Sequence, residues 1–292
     1  MTEERVRSRI DAPIPFWKMS GSGNDFVVID NRAGFIAPET AGEFTRLVCR
    51  RRVSVGADGV VLIEPSTEDG VHFRWRYLNA DGSDGEMCGN GAMCGARFAY
   101  LHGIAPAACV FRTESGLVRA AVDTDSASIR IAIDDPSPIR HDVHVTVDNQ
   151  PLTLHAIQVG VPHAVLIVED ADAFPPSGNF NALGRDVRHH PEFAPAGTNL
   201  NVITVRDGRT LRMRTYERGV EDETLARGTG AVAGAVVAIA LGRASPPVDV
   251  LTSSGQSLSV DFAWNGNRAT AVTLGGEARI VMTGEICSEA LM

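Results

Sequence analysis

The chain has little with which to meet a nucleic acid or a membrane. Its 27 Lys and Arg are outnumbered by 36 Asp and Glu, leaving a net charge of -9 and a pI near 5.4. A surface of that sign repels polyanions and anionic lipid. The best basic run, Arg50-Arg51-Arg52, reads as a solvated helix end. Long apolar runs are also missing: the longest, residues 230–241, is too short to span a bilayer. The first thirteen residues are charged and lack the apolar stretch of a signal peptide. These absences predict a cytoplasmic protein with no nucleic-acid and no membrane partner.

Cofactor machinery is equally sparse. Cys49, Cys88, Cys94, Cys109 and Cys287 form an odd set in a long chain, which fits reduced thiols better than a disulfide framework. No Cys/His cluster has zinc spacing, and His189-His190 reads as a surface turn, so no metal is expected. Gly21-Ser22-Gly23 lacks the third glycine and the following helix of a dinucleotide fingerprint. There is no Gly-x-x-x-x-Gly-Lys phosphate loop. Lys18 is the only lysine, so a pyridoxal Schiff base finds little support. No cofactor is assigned.

What is present is a core and a repeat. Hydrophobic residues make up 44% and charged residues 22% of 292, the balance of a soluble globular chain of one large or two ordinary domains. Strand-like segments dominate: residues 26–30, 59–63, 72–78, 109–111, 116–122 and 129–133, then 143–147, 152–159, 164–168, 201–205, 211–216, 248–251, 257–262, 269–274 and 278–282. Asp134-Asp135-Pro136-Ser137-Pro138 is the clearest punctuation between the two series. It predicts an N-terminal lobe over 1–135 and a C-terminal lobe over 136–277, with the last strand, about 278–292, returning to the first lobe. Residues 38–51 read as an amphipathic helix with Thr40, Glu43 and Arg46 outward and Phe44, Leu47 and Val48 inward. Residues 180–189 read as a second, shorter helix.

One motif occurs twice. Glu86-Met87-Cys88-Gly89-Asn90-Gly91-Ala92 and Leu225-Ala226-Arg227-Gly228-Thr229-Gly230-Ala231 each open an Ala-rich apolar stretch. The second stretch carries almost no polar residue on any face, and a helix apolar all round must be buried all round. The pattern predicts an α+β protein of two similar lobes, each an antiparallel curved sheet or barrel around a buried central helix, with the two Gly-rich helix starts facing a cleft. A helix start of this kind offers unpaired N–H groups and a positive dipole end to a carboxylate, and its glycines allow close approach. Cys88 immediately precedes one start, where the dipole lowers a thiol pKa from its usual value of about 8.5 and favours the thiolate that could take a proton from Cα. Cys94, one and a half turns on, reads as packing.

The chain resembles the diaminopimelate epimerases, pyridoxal-independent enzymes that interconvert LL- and meso-diaminopimelate. The resemblance rests on Met19-Ser20-Gly21-Ser22-Gly23-Asn24-Asp25-Phe26-Val27-Val28-Ile29-Asp30, Gly56-Ala57-Asp58-Gly59, Asn79-Ala80-Asp81-Gly82-Ser83, Met87-Cys88-Gly89-Asn90-Gly91-Ala92, Gly160-Val161-Pro162-His163-Ala164-Val165, Gly197-Thr198-Asn199-Leu200-Asn201 and Glu217-Arg218-Gly219-Val220, and it spans about residues 15–285. It implies that Cys88 is one catalytic cysteine. It implies that Asn24, Asn79, Asn199, Glu217 and Arg218 hold the distal amino-carboxylate group, and that Gly89, Asn90, Gly228 and Thr229 hold the reacting carboxylate. It also suggests a homodimer acting on a small amino acid in lysine and peptidoglycan-precursor supply.

The sequence departs from the pattern at Met93, at Val161 and, above all, at Arg227, which stands where the family has its second catalytic cysteine. A guanidinium with a pKa above about 12 is no proton donor for the second face of Cα. Three readings stay open at this point: an epimerase impaired by loss of its second base; a one-base isomerase or lyase in which Cys88 removes the proton and Arg227 stabilises the anion; and a non-catalytic amino-acid-binding homologue. Arg227 could also turn outward to Glu221, Asp222 or Glu223.

Overall fold

A computed structural model describes residues 13–85 and 87–292; the charged leader through residue 12, and Glu86 of the repeated motif, lie outside the described residues. The chain divides into two compact units, one running through Ile131 and resumed at Gly276–Met292, the other Ala132–Gly275.

In the first unit, β1 (Ile14–Gly21) and β2 (Asn24–Asp30) form a hairpin whose two-residue loop has Ser22 at φ 46° and Gly23 at φ 108°. Positive φ at both loop positions matches the right-handed twist of the flanking strands. Helix α1 (Pro38–Val48) carries the chain over to β3 (Gly59–Glu64), which lies parallel to β2. Strand β4 (Phe73–Asn79) returns antiparallel, with the short β5 (Asp84–Gly85) at its end. Helix α2 (Gly89–Leu101) then crosses to β6 (Ala108–Thr113), parallel to β4, and β7 (Gly116–Val122) and β8 (Ser128–Ala132) follow antiparallel.

The second unit repeats this order. After β9 (Arg140–Val147), the hairpin β10 (Gln150–Val159) and β11 (Val161–Ile167) corresponds to β1 and β2. Helix α3 (Phe180–Arg188) leads to β12 (Asn199–Asp207), parallel to β11, and β13 (Thr210–Glu217) and β14 (Asp222–Thr224) follow. Helix α4 (Gly228–Ala240) crosses to β15 (Val248–Leu251), parallel to β13, and then come β16 (Ser257–Trp264) and β17 (Ala269–Ile286). The first part of β17 pairs with β16; its end returns to β1, with Ile14 opposite Ile286 and Gly21 opposite Ala278.

Four expectations need correction. The sheets are mixed rather than purely antiparallel: each helix-bearing connection joins two parallel strands, because a strand followed by a packed crossover helix re-enters the sheet in the same direction. Thr40 is buried, not outward, and donates its hydroxyl to the Ala37 carbonyl in the first turn of α1. That helix also stops at Val48, short of the expected Arg51. The Pro-rich punctuation at 134–138 does not end a unit. Ile133 donates to the Val272 carbonyl and Ser137 to the Gln158 carbonyl, so the segment belongs to the second unit's sheet.

The two central helices are the core of their units. In α4 every residue from Gly230 to Ile239 is buried, and in α2 the residues from Asn90 to Ala96 are buried with Phe98 and Ala99. Trp75, the bulkiest fully buried side chain, lies beneath α2 and donates its indole N–H to the Gly91 carbonyl at 3.3 Å. A Cβ at Gly95 would sit 2.6 Å from that indole, so glycine is what lets the helix come this close. Trp75→Ala removes this floor and is expected to cost about 3–5 kcal/mol of stability, read from the denaturant midpoint, with the unfolding slope unchanged.

Candidate active site

The repeated motif has one backbone conformation in both units. Cys88 is the N-cap of α2 with φ -136° and ψ 109°, and Arg227 is the N-cap of α4 with φ -140° and ψ 116°. The residues differ in what they do there. The Cys88 sulfur accepts the Gly91 N–H at 3.4 Å and is only partly buried. The sulfur thus already sits on the donor end of the helix, where negative charge on it is favoured. Cys94 is fully buried, and burial pushes its thiol well above the ordinary range. Burial likewise lifts Cys49 to about 12 and Cys109 to about 11.

Arg227 makes no side-chain cap; its guanidinium pairs with the Glu217 carboxylate. The outward alternative is not realised. Glu221 is engaged by Arg188, Asp222 by Asn181, and Glu223 by Arg214. The ends of β13 and α4 instead hold Glu217 and Arg227 together, with side chains 15% and 25% exposed, which shields the pair from full solvent screening.

The other sequence-derived candidates fall into one group per unit. In the first, Asn90 at the start of α2 donates its side-chain amide to the Asn24 Oδ1 at 2.8 Å, and Asn24 donates to Asp58 Oδ2 at 3.0 Å. Gly89 opens the same helix. Asn79 closes β4 and donates to the Ser83 hydroxyl at 3.0 Å, apart from that chain of amides. In the second unit, Asn199 is buried; it donates to the Pro162 carbonyl at 2.9 Å and accepts the Arg218 N–H at 2.8 Å. Gly228 and Thr229 open α4.

A polar trio went unnoticed in the sequence. His163 on β11, Asn201 on β12 and Thr215 on β13 are all buried under the start of α4, where a Cβ at Gly230 would meet Asn201 Oδ1 at 2.4 Å. The corresponding floor under α2 is aromatic, made by Phe26 and Trp75. Thr215 donates to Asn201 Oδ1 at 3.0 Å, and Asn201 Nδ2 lies 3.1 Å from His163 Nδ1. With Nδ2 a donor only, His163 Nδ1 is the acceptor, and the ring proton of the neutral imidazole sits on Nε2. Burial, then the nearby Arg227 and Arg218, drives the pKa of His163 down to about 3. The Gly160-Val161-Pro162-His163 turn was the available signal, but only the fold puts Asn201 and Thr215 beside it.

Comparison with known proteins decides the lineage. The family model for diaminopimelate epimerase matches residues 16–138 and 155–285. The chain belongs to the diaminopimelate epimerase family. It is 41% identical over 283 residues to the diaminopimelate epimerase of Aquifex aeolicus, covering 94% of this chain and 99% of that one. It is 40% identical over 270 residues to that of Chlorobaculum tepidum, covering 92% and 99%. The fold is also that of more distant proteins. A hydroxyproline epimerase from Agrobacterium vitis superposes with a TM-score of 0.68 at 16% identity, over 95% of this chain and 93% of that one. A methylitaconate-delta-isomerase gives 0.65 at 13% identity, over 96% and 97%. Membership in this family makes the chain an isomerase of the racemase and epimerase class.

The depressed His163 pKa has a consequence for stability. The unfolded chain binds a proton at this residue near pH 6.5 and the folded one only near 3, so stability is intact above about 6.5 and falls as pH drops toward 3. The slope is up to about 1.4 kcal/mol per pH unit for this one group. His163→Gln is expected to flatten the loss between pH 6.5 and 4, measured by denaturant titration at each pH.

Proposed function

We propose that this chain binds diaminopimelate and moves its α-proton through Cys88, without a cofactor, and that Arg227 impairs the inversion that would complete the epimerisation. The observation that carries the reading is Cys88 at the N-cap of α2, partly exposed and held by the Gly91 N–H, in a chain 41% identical to a diaminopimelate epimerase. Gly89 and Asn90, with Gly228 and Thr229, would hold the reacting carboxylate through helix-start N–H groups. Asn24, Asn79, Asn199 and the Glu217-Arg218 pair would hold the distal amino-carboxylate group. Cys88 thiolate takes the α-proton from one face. Return of a proton to the other face needs an acid, and a guanidinium above about pH 12 is not one. Arg227 also occupies Glu217, one of the groups assigned to the substrate. The one-base lyase and the non-catalytic binder are not favoured beside relatives of this similarity.

The reading places the protein in the cytoplasm, in the supply of lysine and peptidoglycan precursors, and as a homodimer. An exposed apolar stretch on β17 suits self-association: Ile280 is 36%, Val281 60% and Met282 55% exposed. Val281→Lys with Met282→Lys is expected to lower the mass measured by sedimentation from dimer to monomer.

Solvent-deuterium exchange with the LL and meso isomers tests the chemistry. The native chain should incorporate α-deuterium with little inversion. Arg227→Cys should raise inversion by about 100-fold or more, the scale of one positioned acid–base group. Cys88→Ala should abolish exchange. A folded Arg227→Cys chain inert toward both isomers would overturn the diaminopimelate assignment.

A further inference from the structure

The first unit contains a chain of amides whose direction is set by one carboxylate. Asp58 opens the approach to β3 and is locked to the β1–β2 hairpin. Its carboxylate accepts the Asp25 N–H at 3.2 Å and an Arg51 guanidinium N–H at 2.8 Å, while its own N–H donates to the Asp25 carbonyl at 2.9 Å. Asp25 is itself fixed by Lys18 at 2.7 Å and by Arg51 at 2.5 Å. Burial alone would raise the Asp25 pKa, but these two cations outweigh it and hold the carboxyl below its ordinary range. Arg51, Lys18 and the backbone thus immobilise the Asp58 carboxylate on a rigid hairpin.

An ionised carboxylate can only accept. The Asn24 side chain, 3.0 Å from Asp58 Oδ2, must therefore present Nδ2 to it and turn Oδ1 away. Asn24 Oδ1 in turn can only accept, so Asn90 at 2.8 Å must present its Nδ2. Asn90 is left with one orientation, and its Oδ1 is the free end of the relay. Asn90 is 3% exposed, and that Oδ1 has no hydrogen-bond donor among the described residues. A buried carbonyl oxygen without a donor is costly, and a site of this kind is completed by a ligand that brings an N–H. It lies two residues after Cys88, on the first turn of α2.

We infer that Asp58 is a positioning residue which, through Asn24, orients Asn90 so that its Oδ1 accepts a hydrogen bond from the ammonium group of a bound amino acid. The backbone N–H groups of the same helix start face the carboxylate of that amino acid, so the two recognise both charged substituents of one α-carbon. This deepens the diaminopimelate reading and rests on it for the ligand, but the relay itself requires no ligand. Without Asp58 the two asparagines lose the carboxylate that dictates their direction, and either amide can turn over.

The experiment has two arms on the full chain. In the first, nitrogen-resolved proton spectra of the side-chain amides are compared without ligand. Asp58→Asn should shift the Asn90 NH2 resonances although Asp58 does not touch Asn90, and Asn24→Ala should abolish that response. Asn90 resonances indifferent to Asp58→Asn would overturn the relay. In the second arm, meso-diaminopimelate is titrated calorimetrically into the native, Asp58→Asn, Asn90→Ala and doubly substituted chains. Each single substitution should weaken binding about tenfold, the worth of one hydrogen bond to a charged group. The double should be no weaker than Asn90→Ala alone, because Asp58 acts through Asn90, whereas a merely structural loss would add. Additive losses would overturn the positioning role. A native chain that fails to bind diaminopimelate would overturn the substrate reading alone, and the spectral arm would still decide the relay.

Discussion

Everything in this protein is arranged around a helix that cannot face water. Helix α4 has a buried residue at every position from Gly230 to Ile239, and α2 is nearly as enclosed. Such a helix is stable only when a sheet curves around it, and its backbone polar groups then reach the outside only at the ends. The N-terminal end is where the proposed chemistry collects. Four N–H groups lack intrahelical partners there, the dipole favours an anion, and small residues keep the entrance open. Cys88 and Arg227 are both N-caps because the N-cap is the last residue before the helix disappears into its core.

The duplication shows which parts of that design are fixed and which are free. The backbone is fixed: each unit has two parallel crossovers in the same order, and the helix of the second opens on an N-cap, with φ -136° and ψ 109° at Cys88 and φ -140° and ψ 116° at Arg227. The side chains beneath the helix are free to differ. Under α2 the floor is Phe26 and Trp75; under α4 it is Asn201 and Thr215, with His163 beside them. Apolar packing supports the thiol-bearing start. A neutral, buried histidine network supports the other, and its charge is suppressed by the same burial that makes it rigid. Arg227 lies in the more polar of the two settings, where Glu217 neutralises it.

Polar groups in the first unit work differently. There the directional information comes from acceptor-only carboxylates held by Lys18 and Arg51, and it is handed on through asparagine amides that must point one way. The side chain of Lys18, the only lysine in the chain, is committed to this framework. It contacts Asp25 in the hairpin and the Gly56 carbonyl in the loop that leads to β3.

Much of this was legible in the chain itself. The repeat, the strand series and the two enclosed helices follow from composition and periodicity, since the Gly/Ala/Val/Ile run from Gly230 to Ile239 admits few alternatives. The resemblance supplied the positions proposed for proton transfer and for holding the substrate. Three things were decided only by tertiary structure. Parallel pairing of β2 with β3 and of β11 with β12 depends on where the crossover helices pack, which local propensity does not encode. Thr40 faces inward because its hydroxyl finds the Ala37 carbonyl within the same turn, so a polar residue needs no water there. And the partners of Arg227, Asn24 and His163 are 10, 34 and 38 residues away in sequence, brought within hydrogen-bonding reach only when the sheet closes around its helix. Sequence periodicity names the helix that must be buried; long-range register alone chooses what waits at its open end.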